Sequence, residues 1–156
     1  MAAPAPASAT SRLIVWVRTV LAVLVGAAVW MVGFLALARI LVALWPAYAV
    51  PARVWTRTNT YAFTAPMSVA NAAFWILAEL AAGWVAVTIA RRTGAAWILA
   101  VLVMGYLCFM HLYYVWHALP WWYNLVVAFS SGPAVLLGGT LGSRSGRTLS
   151  APQQTS

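Results

Sequence analysis

The sequence predicts an all-α membrane protein, a bundle of four transmembrane helices with both termini in the cytoplasm. Of its 156 residues, 65% are apolar and only 6% are charged, and the mean hydropathy is +0.90. A soluble domain is about one quarter charged, and a chain this short cannot hide so much apolar surface from water. The apolar stretches are continuous and lack the period-two alternation of barrel strands. These observations favour membrane-spanning helices.

The first two spans end at prolines or charges. A spanning helix needs about 20 apolar residues. The first span covers about residues 19–45 and is closed by Pro46, and the second covers about 67–90 and stops at Arg91. A cleaved signal peptide is the competing interpretation of the first segment. Its apolar region is longer than the roughly 7–15 residues of a signal peptide, so we expect an uncleaved anchor.

The second half of the chain predicts two further spans. Residues 93–143 contain no Asp, Glu, Lys or Arg, and this stretch is too long for one span. Pro120 cannot continue a helix, and the aromatic residues that follow it resemble an interfacial belt in composition. The third span is therefore about 95–116 and the fourth about 123–141.

The remaining segments are the polar ones. Residues 46–65 carry prolines, arginines, threonines and aromatics, so we expect a loop at the membrane surface with room for a short interfacial turn. Residues 1–11 and 143–156 are small, polar tails with little to bury, and we expect both to be disordered. The four spans thus form one unit, residues 12–142, with no soluble domain.

The distribution of arginine predicts the orientation. Two arginines lie on the first-loop side, Arg53 and Arg57, whereas six lie on the side of the termini and the second loop: Arg12, Arg18, Arg91, Arg92, Arg144 and Arg147. The positive-inside rule then places both termini in the cytoplasm. Arginine without lysine suggests a GC-rich bacterial genome, and we expect a multi-pass protein of the inner membrane.

Composition excludes several classes of chemistry. There is no Asp or Lys, and Glu79 is the one acid, so paired carboxylates and carboxylate cages for Mg²⁺ or Ca²⁺ are excluded. The scattered arginines form no basic patch for nucleic acid. His111 and His117 project about 120° apart on one helix, and Cys108 with His111 lacks a third ligand. We expect no metal, no cofactor and no nucleic-acid partner.

Glu79 is the most informative candidate for a functional residue. It lies near the middle of the second span, roughly 18 Å deep, where an ionised side chain costs about 2.5–3.5 kcal/mol. Arg39, roughly 9 Å deep in the first span, is the candidate counter-ion. The alternative is that Arg39 extends its guanidinium to the interface and that Glu79 stays protonated.

Other polar residues gather at similar depths and predict a pocket. They are Asn71 on the second span; Tyr106, His111 and Tyr114 on the third; and Asn124, Ser130 and Ser131 on the fourth. Together these side chains predict a water-filled pocket that opens away from the cytoplasm, with Glu79 at its floor. The alternative is that each side chain bonds a nearby backbone carbonyl or a neighbouring helix.

Two patterns of small residues predict close helix packing. Ala78, Ala82, Ala86 and Ala90 repeat every four residues, and Gly138 and Gly142 form a G-x-x-x-G pattern. Small residues let helix backbones approach in lipid. The sequence leaves open whether these patterns serve the bundle or a homodimer.

Three function classes fit this pattern. The first is a non-enzymatic accessory, assembly or lipid-contacting bundle, whose partners are the bilayer and either a second copy or another membrane protein. The second is a small proton-coupled carrier or channel that uses Glu79. The third is an intramembrane enzyme that acts on a lipid or quinone through Glu79, His111 or Tyr106. We expect the first class.

Overall fold

The computed structural model describes the backbone of residues 9–148 and the side chains of residues 9–144. Within this part of the chain there is no strand. The helices are α1 (Ala9–Leu44), α2 (Pro46–Thr58), α3 (Ala65–Ala90), α4 (Gly94–Cys108), which continues as a π-helical segment (Phe109–Tyr114), and α5 (Trp121–Thr148).

Four of these helical stretches are long and apolar enough to cross a membrane, which confirms the predicted four-span bundle. They are Ala9–Leu44, Ala65–Ala90, Gly94–Tyr114 and Trp121–Arg144. Helix α1 has 36 residues, so it is roughly 54 Å long and exceeds the apolar thickness of a bilayer. The chain is therefore a multi-pass helical membrane protein.

The ends of the spans differ from the sequence prediction. Residues 9–11 and 143–148 were expected in disordered tails, yet they extend α1 and α5. Neither short segment contains a proline, so each can continue the adjoining helix despite its low hydrophobicity. Residues 1–8 and 149–156, the rest of both predicted tails, lie outside the described residues.

The segment predicted as a surface loop contains a full helix. Helix α2 has 13 residues, begins with Pro46 and ends at Thr58. Asn59 caps this end with a left-handed backbone, and its N–H donates to the carbonyl of Trp55. Proline is well tolerated at a helix start because the first N–H groups need no helical partner. The polar composition of residues 46–65 thus led to the prediction of a loop, whereas the segment contains a helix that buries Tyr48 and Pro51.

Helix α3 lies at the centre of the bundle and packs on α1, α4 and α5. Its closest approach is to α5, where a Cβ added to Gly83 would lie 1.9 Å from the Val135 carbonyl oxygen, and one added to Gly138 would lie 2.0 Å from that of Leu80. On the other face, Gly26 of α1 fits against Ala82 and Ala86. Both patterns of small residues thus serve contacts inside the bundle.

The π-helical segment changes the hydrogen-bonding pattern of the third span near its end. The N–H of Val115 donates to the carbonyl of Met110, five residues back. Such a wider turn shifts the side chains around the helix axis. His111 is turned into the bundle, whereas Tyr113 and Tyr114 are turned outward and are mostly exposed.

Candidate functional site

A cavity of about 780 Å³ lies at the end of the bundle that carries α2, which we call the α2 end. Helices α1, α2 and α3, the third span and the first turn of α5 all contribute to its wall. Eight aromatic side chains line it: Phe34, Tyr48, Trp55, Tyr61, Phe63, Trp75, Tyr106 and Tyr123. The cavity is therefore largely apolar and is bounded by rings that also carry polar edges.

The charged groups on the cavity wall are both cations. Arg39 from α1 and Arg53 from α2 line it, and no acidic residue does. Burial raises the pKa of Tyr48 to about 12, and burial likewise raises the pKa of Tyr61, opposed by its hydrogen bond with Ser68. Both phenols are thus neutral at physiological pH, and the two guanidinium groups give the cavity a positive charge.

Two hydrogen-bonded pairs supply the polar part of the wall. The Asn71 amide nitrogen donates to the Tyr123 hydroxyl oxygen over 3.0 Å. Behind the wall, Oδ1 of the fully buried Asn124 lies 3.0 Å from Nδ1 of His111. Together these pairs tie α3 and the third span to the start of α5.

The bonds of Asn124 determine which nitrogen of His111 carries the proton. The Asn124 amide nitrogen donates to the carbonyls of Trp116 and Leu119 over 3.2 and 3.3 Å. Because carbonyls only accept, Oδ1 must face His111, and Nδ1 of the imidazole must be the donor. In the neutral ring Nε2 is then an acceptor, on a residue that lines the cavity.

The cavity has a side that faces the lipid between α1 and the third span. Leu35 and Tyr106 both line it, and they are 55% and 47% exposed. One turn deeper, Trp30 of α1 closes this gap, because its ring lies 5.8 Å from that of Tyr106.

The structure brings together only part of the predicted pocket. Arg39, Asn71, Tyr106 and His111 line the cavity, and Asn124 supports it from behind. Tyr114 is 72% exposed on the outer face of the π-helical segment. Glu79, Ser130 and Ser131 lie deeper in the bundle, outside the cavity wall.

The expected ion pair between Arg39 and Glu79 is absent from the described residues. Glu79 is fully buried, and neither of its carboxyl oxygens has a hydrogen-bond partner there. Arg39 is exposed and points to the cavity. Arg39 lies nine residues beyond Trp30, the residue of α1 at the level of Glu79, and this offset of about 13 Å of helix rise keeps the two groups apart.

An aromatic layer separates the cavity from Glu79, which was expected at its floor. Phe34 stacks on Trp75 with ring centroids 3.7 Å apart, and Trp30 lies 5.8 Å from the ring of Trp75. Trp75 precedes Glu79 by one helical turn on α3. The floor of the cavity is therefore formed by rings, and the carboxyl group lies beyond them.

Sequence reasoning missed the contribution of α2. Tyr48 and Arg53 were placed in a surface loop, and Tyr123 was assigned to an anchoring belt. An amphipathic repeat in residues 46–58 was the available signal, since Tyr48, Ala52 and Trp55 share one helical face and all line the cavity.

Comparison with family models, with curated proteins and with solved structures finds no match to this chain. Among residues 9–148, no cluster of three His, Cys, Asp or Glu side chains has the arrangement of a metal site. The side chains that line the cavity are therefore the groups available to bind a ligand.

Proposed function

We propose that this protein is a non-enzymatic membrane protein that binds a phosphate-bearing lipid in the cavity at the α2 end. The observation that carries the proposal is the composition of the wall: many aromatic rings, two arginines and no acid. Arginine forms charge-assisted hydrogen bonds with phosphate in a geometry that lysine lacks. Tyrosine and tryptophan are the residues that tolerate both acyl chains and headgroups.

Size and access support a lipid ligand. The volume of about 780 Å³ falls in the range of roughly 300–1,000 Å³ that is usual for small-molecule sites. It accommodates a headgroup and the adjoining part of its chains, while the lipid-facing side at Leu35 and Tyr106 lets the rest of the chains remain in the bilayer. A small hydrophilic anion would offer no apolar surface for the aromatic side chains of the wall to contact.

The arrangement of titratable groups favours binding over catalysis. General acid–base chemistry needs groups within hydrogen-bond reach of the substrate. Glu79 lies beyond the aromatic layer, and Nδ1 of His111 is engaged by Asn124. The proton-coupled carrier is the second candidate, and the buried unpartnered carboxyl of Glu79 is the observation that favours it.

The proposal includes an orientation and a location. We place the α2 end on the non-cytoplasmic side of a bacterial inner membrane, with both termini inside. The positive-inside rule supports this orientation, because the arginines with described side chains lie mostly at the opposite end of the bundle, at positions 12, 18, 91, 92 and 144. A second copy of the chain or another membrane protein remains compatible with this role.

Replacing both cavity arginines is expected to remove bound lipid. In the double variant Arg39→Gln with Arg53→Gln, we expect the phosphate-bearing lipid retained per protein to fall at least about tenfold, because charge-assisted hydrogen bonds contribute about 1.5–3 kcal/mol each. Native mass spectrometry after gentle detergent extraction measures the retained lipid.

Arg57→Gln is the matched control, because Arg57 lies on the same helix but does not line the cavity. Delipidated protein should show saturable quenching of tryptophan fluorescence with a short-chain phosphatidic acid, and no saturation with inorganic phosphate or a neutral short-chain lipid. Equal retention in the double variant and in Arg57→Gln would contradict the proposal, as would saturation by inorganic phosphate alone.

A further inference from the structure

Two buried polar side chains in the centre of the bundle lack a partner among the described residues. They are the carboxyl of Glu79, with both oxygens unsatisfied, and the indole N–H of Trp30. Glu79 is fully buried and Trp30 is 6% exposed. Buried polar groups in folded proteins nearly always have a hydrogen-bond partner, and an exception needs a physical explanation.

The two groups lie at the same depth on neighbouring helices. Helices α1 and α3 run in opposite directions, with Gly26 against Ala82 and Gly33 against Ala78. Trp30 falls between the two glycines, and Glu79 falls between the two alanines. The rings of Trp30 and Trp75 are also in contact. Because Trp75 lies one turn before Glu79, this contact places the Trp30 side chain close to the level of Glu79.

A third polar group reaches this level from α5. Gly83 packs against Val135, and one turn earlier on both helices the Ser131 hydroxyl is a hydrogen-bonding neighbour of the Glu79 carboxyl, although the two groups do not reach normal hydrogen-bond geometry. Ser131 already donates to the Val127 carbonyl over 2.5 Å. Its oxygen therefore has lone pairs to offer, while its proton is engaged elsewhere.

Among the side chains of residues 9–144, no cation compensates the carboxyl at this level. Arg39 is nine residues further along α1 than Trp30, which is about 13 Å of helix rise. His111 is held by Asn124 beyond the aromatic layer. An ionised carboxylate that is buried without a counter-ion or hydrogen bonds is prohibitively unfavourable, so the group must be neutral.

We propose that Glu79, Trp30 and Ser131 form an internal water-binding site in which Glu79 is a neutral carboxylic acid. A neutral acid has an O–H that needs an acceptor and a C=O that accepts. The Trp30 N–H also needs an acceptor, and a hydroxyl oxygen is open at Ser131. One water accepts from the carboxyl O–H and from the indole N–H, and its own hydrogens reach the carboxyl C=O or the Ser131 oxygen.

This site is distinct from the lipid cavity, because none of its three residues lines the cavity and the stacked rings of Phe34 and Trp75 lie between the cavity and the Glu79 carboxyl. It provides an exchangeable proton near the middle of the membrane. Its failure would leave the lipid proposal intact, since Glu79 does not line the cavity.

Infrared difference spectroscopy tests the site directly, because Glu79 is the one side-chain carboxyl in the chain. In the full-length protein in lipid at neutral pH, the spectrum of the native chain minus that of Glu79→Gln should contain the C=O stretch of a protonated acid. We expect this band to shift to lower frequency after transfer to D₂O, because a bound water lets the buried acid exchange its O–H for O–D.

Trp30→Phe removes the indole N–H and should move the acid band to higher frequency by weakening its hydrogen bonding to water. Trp97→Phe is the control, because Trp97 is 61% exposed on the lipid face, and it should leave the band in place. Carboxylate bands in the first difference spectrum would overturn the neutral acid. A band unmoved by D₂O, or by Trp30→Phe, would overturn the shared water.

Discussion

Replacing Gly83 by alanine is expected to unfold the bundle or to separate its two central helices. The added Cβ would lie 1.9 Å from the carbonyl oxygen of Val135 and 2.8 Å from its carbonyl carbon, and both atoms belong to the backbone of α5. A flexible side chain could move away from the new methyl group, whereas a helix backbone cannot do so without displacing the whole α3–α5 contact. Overpacking usually costs about 1–3 kcal/mol, and we expect Gly83→Ala to reach or exceed the upper end of that range.

Gly105→Ala is the matched control, because nothing lies within 4 Å of the Cβ that it adds to α4. Alanine is favoured over glycine inside a helix by about 0.5–1 kcal/mol, so this variant should be slightly more stable than the native chain. Reversible denaturation in mixed micelles measures both free energies of unfolding. Similar stabilities for the two variants would show that the α3–α5 contact is looser than described.

The fold was predictable because hydropathy acts over long segments. The four spans follow from uninterrupted apolar runs, and even the ends of α3 were close to the expected residues 67 and 90. Helix α2 was missed although Tyr48, Ala52 and Trp55 recur at the helical period, because the prolines and arginines of this segment are typical of a loop. The burial of Tyr48 against other elements, which stabilises the helix, is a tertiary effect. The continuation of α1 back to Ala9 was missed for a related reason, since polar composition does not by itself prevent a helix from propagating.

The candidate site was only partly predictable, because depth alone does not determine neighbours. Arg39, Asn71 and His111 were grouped by depth, and all three line one cavity. Glu79 was grouped with them, but it does not line the cavity, since the stacked rings of Phe34 and Trp75 lie between. The π-helical turn rotates His111 inward and Tyr114 outward, and a regular helical period cannot anticipate that rotation.

The second large effect is expected from Asn124→Leu. This change keeps a side chain of similar size but leaves the carbonyls of Trp116 and Leu119 and the Nδ1–H of His111 without their partner. Side-chain hydrogen bonds in membrane proteins contribute about 0.6 kcal/mol on average, and a buried group left unsatisfied costs about 1–3 kcal/mol. For three such groups we expect a loss of about 2–5 kcal/mol in the free energy of unfolding.

Asn71→Leu provides the comparison, because the hydrogen bond found for its side chain is the single one to Tyr123, and it should cost several times less. Nitrogen NMR of the His111 ring supplies a readout beyond stability: the native chain should show a protonated Nδ1, and Asn124→Leu should mix the two tautomers. Adding His111→Leu to Asn124→Leu should recover part of the lost stability, because removing both partners is less costly than orphaning one. Equal losses in Asn71→Leu and Asn124→Leu, with an unchanged tautomer, would mean that Asn124 does not hold the histidine at the cavity wall.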